Sequence, residues 1–336
     1  MRKAGVVLAM VLLVAGCGAG CRESSDVHRR TQYLMGTVVT ITVAGVGGDD
    51  ADRAMNAAFE EIRRLEGILT FFSESSDLGR INAAAGERPV GVSAETIEVL
   101  TEARRISDAS GGAFDATIGP LVSLWGFEVK ERFVPPKEEI ERARMLVDWR
   151  KMAVDPERRT VRLDRKGMKV DLGGIAKGYA ADRAAEVLRQ HGVSRALVAV
   201  AGDIRAIGEK SPGVPWHVGI QHPRDPGTVL GSLRIADRSV STSGDYERYF
   251  IEDDVRYHHI LDPATGRSAA ASRSATVLAP TTILSDALST AAFVLGPEKG
   301  IALVRSVPGA EAVIVDREGR VHVTPGLAGK VEGLAS

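Results

Sequence analysis

Both cysteines of this chain, Cys17 and Cys21, lie close to its N-terminus, so everything downstream must hold together by packing, without a disulfide. With 336 residues, 44% of them hydrophobic, the chain can bury a sizeable core as one large domain or two lobes. The formal net charge is −1 and no long like-charge run occurs, which leaves no basic field for nucleic acid and disfavours that partner.

The N-terminus reads as an export signal. Arg2 and Lys3 precede an almost wholly apolar stretch from Ala4 to Gly16, shorter than the ~20 apolar residues of a membrane-spanning helix. Residues 1–16 therefore read as a signal peptide. Small residues stand immediately before a cysteine in Leu13-Val14-Ala15-Gly16-Cys17, which resembles the lipobox cut by the lipoprotein signal peptidase. Cys17 is then expected to carry a lipid, with residues 17–30 as a polar tether; the alternative is an ordinary signal peptide cleaved near Gly20. The expected location is extracytoplasmic, lipid-anchored to a bacterial membrane, on the periplasmic side of the inner membrane or at the cell surface.

From residue 31 to about 330 strands and helices intersperse without strict alternation, which favours an α+β fold with mixed β-sheets flanked by helices over a doubly wound parallel one. Strands are expected at Val38–Val43, Met168–Asp171, Ala196–Val200, Ala312–Asp316 and Arg320–Thr324, with a hairpin formed by Trp149–Asp155 and Val161–Leu163. Helical spacing marks Asp49–Leu69, Glu95–Ser107, Ile175–Gln190, Leu284–Leu295 and Pro297–Ser306. The proline-bearing, charged stretch Gly126–Lys151 reads as a surface excursion with a short helix. Strands dominate Trp216–Ile260, with turns at His222–Gly227 and Ser243–Asp245.

Three segments carry chemistry. In Asp171-Leu172-Gly173-Gly174-Ile175-Ala176-Lys177-Gly178 a double glycine opens an alanine-rich helix, leaving N–H groups and the positive helix end for an anion. Gly173 and Gly174 allow close approach and Lys177 adds charge, yet the spacing matches neither common phosphate-loop motif, and a plain strand-to-helix turn explains it equally well. On the helix after Leu284, Asp286 and Thr290 are four apart and share a face. A carboxylate and a hydroxyl so placed can ligate a hard cation such as Mg²⁺, although capping by Ser285 or Asp286 would account for the same residues. In Tyr257-His258-His259-Ile260-Leu261-Asp262-Pro263-Ala264-Thr265-Gly266 a strong turn follows two histidines, of which at most one can face a site.

Together these segments resemble the ApbE family of FAD:protein FMN transferases. The resemblance runs in order through Met35-Gly36-Thr37, Leu65-Glu66, Phe72-Ser73, Leu78-Gly79-Arg80-Ile81-Asn82 and Phe114-Asp115-Ala116-Thr117-Ile118-Gly119-Pro120-Leu121 with Leu124-Trp125-Gly126-Phe127. It continues through the Asp171 segment, Ala201-Gly202-Asp203-Ile204, Thr242-Ser243-Gly244-Asp245-Tyr246, His259-Ile260-Leu261-Asp262-Pro263 and the Asp286 helix. The resemblance implies a T-fold-like, two-lobed single catalytic domain that takes FAD as substrate with Mg²⁺. It would move FMN to a threonine hydroxyl of an extracytoplasmic or membrane redox protein and release AMP. The family pattern puts the metal on the backbone carbonyl of Ala176 and the side chains of Asp286 and Thr290. It places Met35, Trp125 and Asp182 around the flavin and adenosine, and Asp262 and Thr265 near the phosphates. His259 becomes the candidate proton acceptor, with Lys177 as a charge near the phosphates. Departures are Ala116 in place of a usual proline, Ala201 in place of a glycine, and Phe71 and Phe72 where a tyrosine is common. Two other readings stand beside transfer: an FAD pyrophosphatase yielding FMN and AMP, and a non-catalytic FAD-binding lipoprotein.

Overall fold

The alternation of apolar residues sets a central sheet with two different faces. The computed structural model describes residues 27–127 and 133–334; the expected signal peptide and Cys17 lie outside them. Its main sheet has eight strands: β1 (Val27–Leu34), β2 (Thr37–Ala44), β3 (Ala196–Val200), β4 (Asp203–Ile207), β5 (Ser239–Gly244), β6 (Ser272–Ala279), β7 (Glu311–Asp316) and β8 (Val321–Val323). They lie side by side in chain order and every neighbour is antiparallel. β1 starts at Val27, paired with Ala44, so the folded domain begins before the expected boundary at residue 31.

Successive side chains on a strand point to opposite faces. In β3, Ala196, Val198 and Val200 join the larger core, while Leu197 and Ala199 join a second one. Among the described residues the α-helices are α1 (Gly48–Leu69), α2 (Asp77–Ala83), α3 (Ala94–Ser110), α4 (Gly119–Trp125), α5 (Lys137–Arg144), α6 (Ala176–Gln190) and α7 (Thr282–Ser306). The larger core is filled by α1, α3, α6 and α7. The second is covered by the hairpin Trp216–Gln221 and Val229–Ile235 through Trp216, Val218, Ile220, Leu233 and Ile235. α7 is apolar nearly all round, as a helix buried between a sheet and other helices must be. Gly296 is non-helical (φ 77°) and Pro297 opens the second half, so α7 is two helical segments joined at a kink, the boundary expected between Leu295 and Pro297.

The expected strand at Met168–Asp171 is extended backbone outside any sheet, touching Ile118 through a single bridge at Lys169. Its polar groups are satisfied otherwise. The Asn82 amide donates to the Val170 carbonyl (3.0 Å) and accepts from the Val170 N–H (2.6 Å), and the Asp171 N–H donates to Ala116 O (2.8 Å). The turn expected at Ser243–Asp245 lies later, because Ser243 and Gly244 still pair with Ala275 and Ser274 in the sheet.

Met35 and Gly36, both at positive φ (53° and 67°), make the two-residue link between β1 and β2, the turn whose twist suits a hairpin. Ala201 also has positive φ, 55°, which gives the physical reason a glycine is usual there. A Cβ in that region costs about 1 kcal/mol or more. Ala201→Gly is therefore expected to stabilise the protein by about 1 kcal/mol, read as a higher denaturant midpoint.

Candidate active site

The glycine turn and the aspartate helix, separate in sequence, form one cluster. α6 and α7 approach so closely at Gly178 that a Cβ there would lie 2.3 Å from the Thr282 carbonyl oxygen and 2.7 Å from Asp286 Cβ. Glycine is required by that contact. It lets the Gly178 N–H reach Asp286 Oδ2 at 2.9 Å. One turn along α7, Thr290 faces Gly174, whose absent Cβ would stand 3.0 Å from Thr290 Oγ1. Ser243 of β5 completes this edge, its hydroxyl 3.2 Å from that of Thr290 and 2.8 Å from that of Ser289.

Lys177, one residue before Gly178, projects into the same cluster. Its Nζ lies 3.0 Å from Asp203 Oδ2 and 3.6 Å from Asp286 Oδ2, and it donates to the Gly173 carbonyl at 3.1 Å. Burial works against the lysine charge, but the two carboxylates outweigh it and hold the ammonium above its ordinary range. Asp286, 3% exposed, is pushed upward, first by burial and then by repulsion from Asp203, against the pull of Lys177 and the Gly178 N–H. Asp203 is the member that sequence reasoning left without a role. The signal available was an acidic residue opening a strand directly after the Ala201-Gly202 turn.

His259 follows the Tyr249–Glu252 and Val255–His258 hairpin and is tied by its N–H to the Arg248 carbonyl (3.1 Å). Its Nδ1 is buried without a hydrogen-bond partner. Burial first, then the charges of Arg248, His258 and Lys177, push the ring down to about 3, so it is neutral at pH 7. His258 beside it bonds Ala269 O at 2.9 Å, packs edge-on against Phe293, and is lowered too, chiefly by burial. A histidine neutral in the fold but protonated when unfolded makes the unfolded state bind more protons below about pH 6.5. The stability contribution is therefore complete above that value and is lost as pH falls from about 6.5 towards about 3. His259→Asn should flatten this part of the curve of melting temperature against pH.

Other expected ligand positions serve the scaffold. Trp125, 1% exposed, stacks on Phe127 with ring centres 5.7 Å apart and donates its indole N–H to Gly266 O (2.8 Å), so it presents no surface to a ligand. Asp182 caps α7: its carboxylate accepts from Thr282 N, Ile283 N and Thr282 Oγ1 at 2.8–2.9 Å. Met35 is half-buried in its hairpin, where its N–H donates to Glu66 Oε1 (2.8 Å). Asp262 and Thr265 bond within their own turn, to Ala264 N (2.9 Å) and Arg267 N (3.3 Å). Asp262 also lines a cleft of about 470 Å³ with Val294, Pro297, Arg317 and Arg320, and no residue of the Lys177 cluster lines that cleft. Ala176 is the first residue of α6, and the turn residue lying against Thr290 is Gly174. Gly173 offers its N–H to Asp171 Oδ1 (2.9 Å). Phe72 is 73% exposed and meets Phe71 edge-on at 5.5 Å.

Asp115 supports the turn from behind. Buried, it accepts from the N–H and hydroxyl of Thr117 (both 2.7 Å) and from Trp149 N (3.1 Å), and burial raises its carboxyl to about 6. This fixes the loop in which Ala116, despite replacing a usual proline, supplies the carbonyl that receives the Asp171 N–H.

The same arrangement of sequence is found across a known family, whose model, described as the ApbE family, matches residues 35–314. The chain belongs to the ApbE family. An FAD:protein FMN transferase of Treponema pallidum is 34% identical, over 99% of this chain and 96% of its own length. One from Escherichia coli is 33% identical, over 93% and 92%. Among solved structures, the ApbE protein of Thermotoga maritima has a TM-score of 0.84 and 34% identity, covering 91% of this chain and 100% of its own. The flavin transferase ApbE of Vibrio cholerae has a TM-score of 0.83 and 29% identity, with the same coverages. The α+β fold is thus that of the ApbE family.

Proposed function

We propose that this chain is an FAD:protein FMN transferase, which with Mg²⁺ moves FMN from FAD to a threonine hydroxyl of an extracytoplasmic or membrane redox protein and releases AMP. The observation that carries the reading is the junction of the glycine turn with α7, where Gly178 holds Asp286 and Gly174 lies against Thr290, in a chain of the ApbE family.

The donors fit a hard cation. A buried carboxylate, Asp286, and the Thr290 hydroxyl stand one turn apart on α7, and Thr290 packs closely against Gly174 of the turn. Among the described residues no three His, Cys, Asp or Glu side chains gather as a metal cluster. A dication would therefore rest on Asp286, Thr290, backbone carbonyls of the turn and substrate phosphates, the oxygen set that suits Mg²⁺. When bound, it neutralises charge on the pyrophosphate.

The chain's own residues do the rest. The positive end of the α6 dipole favours phosphate oxygens at the turn, while the Ala176 and Gly178 N–H groups stay bonded to Leu172 O and Asp286. The threonine oxygen bonds to the FMN phosphorus, the bond from that phosphorus to the AMP oxygen breaks, and the hydroxyl proton passes to neutral His259. As a base near pH 3 the ring is weak; the negative charge of a bound pyrophosphate beside it would raise its basicity towards the useful range.

A lipid on Cys17 would confine enzyme and acceptor to one membrane surface and raise their effective concentration. Mass spectrometry of the membrane fraction tests this, and a mature N-terminus elsewhere or the absence of an acyl mass rejects it. For the reaction, the protein is incubated with FAD, Mg²⁺ and a membrane redox subunit carrying the acceptor threonine. A fluorescent flavin band on a denaturing gel is expected. Release of FMN without a band would make the protein an FAD pyrophosphatase, and recovery of intact FAD would make it a binding lipoprotein.

A further inference from the structure

Lys177 was a candidate phosphate contact, yet its ammonium is already committed within the protein. It donates to Gly173 O at 3.1 Å and is paired with Asp203 at 3.0 Å and Asp286 at 3.6 Å. Three N–H groups thus face three protein acceptors. Asp203, 3% exposed, is placed at the start of β4 by the Ala201-Gly202 turn, where Lys177 Nζ pairs with it. Two buried carboxylates against one ammonium leave the cluster with a net charge of minus one.

We propose that Lys177 is a resident counter-cation for Asp286, held in place by Asp203, and that it keeps the affinity for a divalent cation low until FAD supplies its phosphates. Lys177 and Asp203 are then positioning residues, acting through Asp286. Without the lysine, two carboxylates would face an incoming dication without the cation that lies against both of them, and the site would fill without substrate. With it, the metal and the pyrophosphate arrive together. The inference rests on the reading of Asp286 and Thr290 as metal ligands.

The test is binding of Mn²⁺, followed by electron paramagnetic resonance on the full chain in detergent, with and without FAD, at about pH 8, where protons compete little for carboxylates. One charge a few ångströms away changes the affinity for a dication on the order of tenfold or more. Without FAD, Lys177→Met is expected to tighten Mn²⁺ binding about tenfold and Asp203→Asn to weaken it about tenfold. The double variant, which removes one charge of each sign, should return to within about threefold of the parent. A merely structural ion pair would give losses in both single variants.

Lys177→Met with unchanged Mn²⁺ affinity but weaker FAD binding would make the lysine a phosphate ligand and overturn the inference. Should a single variant fail to fold, the double variant still decides, since an affinity about tenfold from the parent contradicts the charge argument. A parent protein that binds no Mn²⁺ in either condition would overturn the metal-ligand reading, and this inference with it.

Discussion

Asp286→Ala is expected to lower flavin transfer about a thousandfold or more, because it removes the buried carboxylate proposed to join the glycine turn to a cation. The side chain is buried, receives the Gly178 N–H and faces Lys177. Its loss leaves the Gly178 N–H without that acceptor, so Asp286→Asn is the companion variant: it keeps an oxygen for Gly178 and removes only the charge. Both variants should lose transfer, and FAD binding should weaken only in its Mg²⁺-dependent part. Fluorescent labelling of the acceptor on a gel reads the rate, and a melting curve shows whether the variant is folded. Turnover within about tenfold of the parent in a folded Asp286→Ala protein would remove Asp286 from the metal set.

The second large effect is on stability. Asp182 closes the N-terminus of α7 with the Thr282 and Ile283 N–H groups and the Thr282 hydroxyl, and lies 3.8 Å from Arg205 Nε. Charged caps and charge-assisted hydrogen bonds in partly buried places contribute about 2 to 4 kcal/mol together. Asp182→Ala should therefore lower the melting temperature by about 5 °C or more, with a smaller effect on transfer through the displaced start of α7. The opposite pattern, an unchanged melting temperature with a sharply raised KM for FAD, would return Asp182 to the ligand pocket where its family position put it.

These two aspartates show where sequence reasoning reaches and where it stops. Both stand on helical segments that periodicity identified correctly; Asp286 drew attention by its spacing from Thr290, Asp182 only through the family resemblance. Nothing local distinguishes an aspartate aimed at a cation from one aimed at the end of a helix more than a hundred residues away in the chain. Trp125 is a parallel case: an aromatic in a family motif suits a flavin, but its partner is Gly266 O, contributed by a distant turn.

The amino-acid sequence by itself determined what depends on neighbours along the chain. Period-two and helical spacing gave the α+β class, and the motif order from Met35 to Asp286 gave the family. The departure at Ala201 was visible in the sequence, and its left-handed backbone only in the structure. What depends on distant partners was decided only in three dimensions. Asn82 replaces a strand ladder at Val170, and Asp182 caps α7. Gly178 brings Asp286 onto the glycine turn, and Asp203 joins Lys177. The physical reason is that side-chain periodicity is a local property of the backbone. Hydrogen bonds and ion pairs are fixed by which surfaces the whole core presses together.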